Sequence, residues 1–249
     1  MKTKMNFLSK SLLGTALCIV IFIAACQQET GPVAEQVERD EILANAGKLH
    51  NEMISYYYTN RFEGELSSEE KFAELLDLSW EYLDDNGYDS KYTKEIRLLL
   101  EEKISATTLK SVTGDDYSID SEKLISQLSE TGMYTKQFLK EVKKILNLAH
   151  KNDDRQKIKE YVNSTFSRLK FDEENDIAGQ QLYVNIFNAS YDFWESMDES
   201  LLKSTNLKNS SWVIINDGIG GVLGSVFGPI GSIVVATAFS VGTNEEINN

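Results

Sequence analysis

His50 and His150 are the only histidines in the 249-residue sequence, and they bound the chemistry its side chains could perform. Hydrolysis by a nucleophilic triad needs a histidine beside a serine or cysteine, with an acid to orient it. A zinc site needs several His or Cys ligands held together. His50 sits in Gly47-Lys48-Leu49-His50-Asn51-Glu52, next to an apolar stripe, and reads as a helix histidine at the edge of a core. His150 reads as the end of a helix, where a cation suits the helix dipole. The 39 acids invite a calcium reading, which the EF-hand spacing rejects. With Gly87 at the glycine position, the first and last ligands would be Tyr82 and Thr93; with Gly114 the first would be Leu109. Asp172, Glu174 and Asp176 alternate correctly, but Ile177 stands where the glycine belongs. These acids are expected on solvated faces and at helix N-caps. Gly218-Ile219-Gly220-Gly221 lacks the Gly-Lys-Ser/Thr and the preceding strand of a phosphate loop. Asn163, Asn188 and Asn209 begin glycosylation sequons, to which no weight attaches. No catalytic residue, metal or cofactor is expected, and the chain reads as non-enzymatic.

What must position any site is the stretch Trp212–Gly242, WVIINDGIGGVLGSVFGPIGSIVVATAFSVG, which carries one charge, Asp217. Gly220, Gly224 and Gly228 recur every fourth residue, and Ser232, Ala236 and Ser240 continue the spacing. On a helix these six residues form a smooth stripe that lets two backbones approach closely. Glycine is otherwise poor in helices, by about 0.8–1.0 kcal/mol relative to alanine, so this density implies a packing role. Two arrangements are open. No charge interrupts Gly218–Thr243, long enough for one kinked helix to cross a bilayer. Gly228-Pro229 favours a break instead, giving arms Ser211–Phe227 and Pro229–Val241 of about 20–25 Å each. Neither arm crosses the hydrocarbon layer of roughly 30 Å, and the flanks lack the Lys/Arg bias that orients spans. A hairpin buried in a helical bundle is therefore the expectation.

The preceding chain supplies amphipathic helices for that bundle. Ile42, Ala46, Leu49, Met53 and Tyr57 keep the helical period from Asp40 to Asn60. Ser67 and Glu70 form a capping box ahead of Phe72, Leu75, Leu76, Trp80 and Leu83, with Asn86-Gly87 as the stop. Tyr92, Ile96, Leu99, Leu100 and Ile104 mark the next helix, and residues 112–117 a loop. A short helix around Leu124, Ile125 and Leu128 ends at Gly132. Further stripes are Phe138/Val142/Ile145/Leu146/Ala149 and Ile158/Tyr161/Val162/Phe166/Leu169. A long helix from Glu173 to Leu201 carries Tyr183, Ile186, Phe187, Trp194 and Met197. Pro32 and Pro229 are the only prolines, and no alternating strand appears. The predicted fold is all-α, a multi-helix bundle with a Gly-rich apolar C-terminal hairpin. Its divisions are a leader (1–25), a tether (26–39), the amphipathic domain (40–210), the apolar stretch (211–242) and a polar tail (243–249).

The leader has Lys2, Lys4 and Lys10 ahead of an apolar run from Leu12 to Ala25, the pattern of an export signal. It ends Ile23-Ala24-Ala25-Cys26, which resembles the lipobox of bacterial lipoproteins, with Ile23 where leucine is commoner. The resemblance implies cleavage before Cys26 and acylation of that residue, so the lipid bilayer is an expected partner. Several acyl chains anchor stably where one is marginal. The other cysteine, Cys18, lies inside the leader, so no disulfide is expected. Removing the leader's three lysines leaves a charge of about −17, a surface that disfavours nucleic acid. Gln27-Gln28-Glu29 resembles the acidic signal after the lipidated cysteine in surface lipoproteins of the Bacteroidota. The Gly47–Glu52 run, the helical middle and the Gly-rich apolar C-terminus are similar to envelope proteins of that phylum. That resemblance implies a cell-envelope location and a general shape, and supplies no activity. The expected role is binding or structural, at the outer membrane, with a protein partner in the envelope. The apolar hairpin inside a helical body also resembles pore-forming colicins in architecture. A membrane-active protein that inserts its C-terminal hairpin is the alternative, against which the acidic body and the leader both count.

Overall fold

The computed structural model describes residues 33–62, 66, 68–103, 126, 128–149, 154–196 and 210–247. The leader, Cys26, Ser67, the loop 112–117, Leu124, Ile125, His150, Met197 and Asn209 lie outside the described residues. Within them the chain is all-helical. The elements are α1 (Val33–Asn60), α2 (Ser68–Asp85), α3 (Lys91–Lys103), α4 (Lys136–Ala149), α5 (Arg155–Arg168), α6 (Glu174–Ser196), α7 (Ser210–Gly224) and α8 (Gly228–Ile247).

Local chemistry explains most of the boundaries. Asn86-Gly87 stops α2 in a Schellman arrangement: Gly87 has φ +83, and Tyr88 N–H donates to Leu83 O at 2.9 Å. Ser90 caps α3 by accepting from Thr93 N–H at 3.1 Å, and Asp154 caps α5 by accepting from Lys157 N–H at 3.1 Å. Gly132, with φ +66, follows a helical turn at residues 128–131. Two boundaries differ from expectation. α1 begins at Val33 instead of near Asp40, and its added turns show an exposed Val37. That segment has no apolar stripe to announce it, only residues such as Glu35, Gln36 and Arg39 that favour helix. α8 likewise runs through Glu245 and Glu246 to Ile247, beyond the expected end at Gly242.

The α7–α8 pair sits at the centre. α7 packs on α8 and α6, while α8 also packs on α1, α2 and α3. α1 closes on α6 and α2, and the α4–α5 pair covers α7 and α6 from the other side. Every residue from 230 to 241 is buried, as suits a helix apolar all round. The stripes of the outer helices turn inward onto it: Ile42, Ala46, Leu49, Met53 and Tyr57 from α1, Leu75, Leu76, Trp80 and Leu83 from α2. Among the described residues no helix is long and apolar enough to cross a membrane.

The α7–α8 contact is made by backbone. A Cβ on Gly220 would lie 2.7 Å from Ala236 Cα, and one on Gly224 would lie 2.3 Å from Gly231 O and 2.7 Å from Ser232 Cα. Gly220, Gly224, Ser232 and Ala236 therefore face each other across the seam. Gly228 does not belong to it. It forms the corner after the 3-10 turn Ser225–Phe227, with φ +79, and faces the Tyr92 hydroxyl of α3. Its place in the four-residue spacing is a coincidence of the turn, where glycine serves for its left-handed backbone.

Candidate functional site

One group of polar side chains sealed inside the bundle gathers around Asp217, the single charge of the apolar stretch. Asp217 lies on α7 and is fully buried. Its Oδ2 accepts from Ser190 Oγ of α6 and from Ser240 Oγ of α8, the latter at 3.0 Å. From α1, His50 Nε2 stands 3.7 Å from the same oxygen, and His50 is itself fully buried. The Trp194 indole N–H of α6 also faces the carboxyl, although it stays outside hydrogen-bond geometry.

His50 reaches this depth because of its neighbours. A Cβ on Gly47 would lie 2.4 Å from Asn185 O and 2.5 Å from Ala189 Cβ, so glycine lets α1 press against α6. Asn51 Nδ2 donates to Ala189 O at 2.9 Å and Asn185 Nδ2 donates to Leu43 O at 3.2 Å, stitching the two helices together. With its amide nitrogen so engaged, Asn51 offers its oxygen to His50 Nδ1 at 3.1 Å. That network assigns the ring proton to Nδ1 and leaves a lone pair on Nε2 toward Asp217.

Burial governs the electrostatics. It pushes the Asp217 carboxyl up to about 8, with the hydrogen bonds from Ser190 and Ser240 and the nearby Trp194 N–H pulling the other way. It pushes the His50 imidazole down to about 4, with Asn51 and the Ala236 carbonyl opposing. Both directions follow from the cost of holding a charge away from water. At neutral pH the pair is a carboxylic acid facing a neutral imidazole.

The residue types are those of a hydrolytic triad, but the order is different. Both serines donate to the carboxyl, while His50 pairs with Asn51 and Asp217. The arrangement holds a proton and joins four helices. Both serine hydroxyls are engaged by the carboxyl, where a triad would have one engaged by the imidazole.

The other sequence candidates fall elsewhere. Ser232 Oγ donates back to Gly228 O at 3.2 Å, Ala236 opposes Gly220, and Ser240 has moved from packing residue to Asp217 donor. Asp176, rejected as a calcium ligand, is buried and accepts from Thr135 N–H at 2.9 Å and from the Thr135 hydroxyl, tying α6 to the start of α4. Asn163 and Asn188 hydrogen-bond each other's side chains at 2.9–3.0 Å across α5 and α6. Among the described residues no group of three or more His, Cys, Asp or Glu converges as metal ligands. A narrow gap lined by Ile158, Phe187, Tyr191 and Ile214 lies between α5, α6 and α7.

Sequence reasoning named His50 and Asp217 separately and missed their meeting. The available signal was Asp217 itself: a lone acid in a run this apolar must be exposed, partnered or neutral. No family model matches the chain, and no curated protein or solved structure matches it.

Proposed function

We propose that the chain is a lipid-anchored cell-envelope protein with a binding or structural role and no catalytic activity. Acylated Cys26 holds it to the bilayer, the outer membrane being the preferred site, and the helical body presents an acidic surface to a protein partner. The observation that carries this reading is the use the fold makes of Ser210–Ile247. Its apolar residues are spent on the centre of the bundle, wrapped by α1 and α6, which leaves the leader and Cys26 for membrane attachment. The Ile23-Ala24-Ala25-Cys26 junction supports the same assignment. Cys26→Ser expressed in a bacterial host checks it. The variant should lose palmitate labelling and leave the membrane fraction; a variant that stays with membranes overturns Cys26 as the anchor.

The charge-free run after Asp217 supports a second, membrane-active reading in which α7 and α8 leave the bundle for the bilayer. Release of a dye from lipid vesicles by the Cys26→Ser chain would favour it over the binding role.

A further inference from the structure

We propose that Asp217, met by His50, Ser190 and Ser240 where α1, α6 and α8 close on α7, is a proton-operated latch. As a carboxylic acid it holds the α7–α8 pair in the bundle, and as a carboxylate it loosens the pair. The inference stands whether or not Cys26 carries lipid.

The inventory of donors carries the argument. An ionised carboxylate accepts on two oxygens, with room for about four hydrogen bonds. Here both hydroxyls converge on Oδ2, while Oδ1 is sealed from water and accepts no hydrogen bond. The groups that face it are His50 from α1, Ser190 and Trp194 from α6, and Ser240 from α8. Tyr183 of α6 lies against Gly218, its would-be Cβ 3.0 Å from the ring, and burial keeps that phenol neutral by pushing it further up. Among the described residues, the basic group that pairs with Asp217 is His50. The protonated acid suits this setting better, because it puts no charge where Oδ1 has no hydrogen bond and the basic group beside it, His50 Nε2, stands 3.7 Å from Oδ2. Opening the latch breaks the carboxyl O–H bond and sends the proton to water; closing it reverses that transfer.

The sign follows from the two shifts. The Asp217 carboxyl is raised from 3.8 to about 8, so its contribution to stability is complete below 3.8 and is lost as pH rises through about 8. The His50 imidazole is lowered from 6.5 to about 4, so its contribution is complete above 6.5 and is lost as pH falls through about 4. Between about 4 and 6.5 the folded protein keeps one proton on Asp217 while the unfolded chain keeps one on His50, and the two slopes cancel. The latch therefore opens on the alkaline side, from about pH 6.5 to pH 8.

The full chain in detergent micelles, scanned for Tm from about pH 6 to pH 9, tests this. The native chain should lose several degrees across that range. Asp217→Asn keeps the shape and the acceptor for both hydroxyls, and should show a flat profile; His50→Gln should retain the alkaline fall. Amide exchange, corrected for its intrinsic pH dependence, should show protection falling in residues 210–247 before it falls in α4 and α5. The infrared carbonyl band of a protonated carboxylic acid should be present at neutral pH and fade toward pH 9 in the native chain. A flat native profile, an Asn variant with the native slope, uniform loss of exchange protection, or no such band at neutral pH would each overturn the latch. The band and the exchange pattern are read on the native chain, so they decide even where Asp217→Asn fails to fold.

Discussion

The α7–α8 pair and the α4–α5 pair are both two neighbouring helices in contact, and they are built on opposite principles. α4 and α5 meet the core through large side chains on one face each: Phe138, Leu139, Val142, Ile145 and Leu146 from α4, Ile158, Val162 and Phe166 from α5. Phe138 stacks on Tyr134 at 4.6 Å between centroids and meets Phe171 edge-on at 5.6 Å. Lys136, Gln137, Lys140 and Lys144 face out. α7 and α8 meet through backbone at Gly220 and Gly224, and residues 213–222 of α7 and 230–241 of α8 are buried on every side. The first contact is sensitive to what is removed from it, the second to what is added.

Substitutions in the two pairs can break that contrast. Phe138→Ala empties a fully buried ring site and should destabilise by about 3–5 kcal/mol in denaturant titration. A loss under 1 kcal/mol would mean that α4 does not depend on its large side chains. Gly224→Leu inserts a side chain against the backbone of Gly231, which cannot rotate away as a side chain would. Overpacking costs about 1–3 kcal/mol and occasionally more, and the upper end is expected here, seen as a Tm lowered by several degrees. Were Gly224 exposed, leucine would instead raise stability by somewhat under 1 kcal/mol through its helix propensity, so the sign alone decides. At the small end, Leu98→Gln alters an exposed residue on α3, 67% accessible, and should stay within about 0.5 kcal/mol of the native chain. No residue of α8 between 230 and 241 is expected to tolerate a polar change so lightly.

The same contrast explains what could be read from the sequence. The stripes of α1, α2, α4 and α5 were legible because one-sided helices write their burial into a period, and Ile42, Ala46, Leu49, Met53 and Tyr57 of α1 are all buried. Gly87 and Gly132 were legible as stops because a left-handed residue leaves a residue-type signature. The start of α1 was not, since residues 33–39 bury too little to show a pattern. α7 and α8 signalled burial through composition, yet spacing alone could not tell a contact glycine, Gly224, from a corner glycine, Gly228. The Asp217 cluster was half legible. The acid stood out, but its partners His50, Ser190 and Ser240 come from three other helices far apart in the chain, and only the packing of Gly47 on α6 brings His50 to it.

The position of the central pair also governs the order in which the molecule can be assembled. α1 finds its main partners in α6 and α8, and the His50–Asp217 and Asn51–Ala189 contacts join the first helix to segments made much later. Closing such long loops is slow compared with forming local helical contacts. During N-to-C synthesis the apolar face of α1 lacks part of its cover until the final helix has emerged. α4 and α5, neighbours in the chain, can pair at once. Folding should therefore show an early phase in α4–α5 and a late, concerted phase in which α7 and α8 slide in and α1 closes over them. In the interval the chain exposes its widest apolar surface, and it is then, more than in the finished fold, that it is most prone to aggregate.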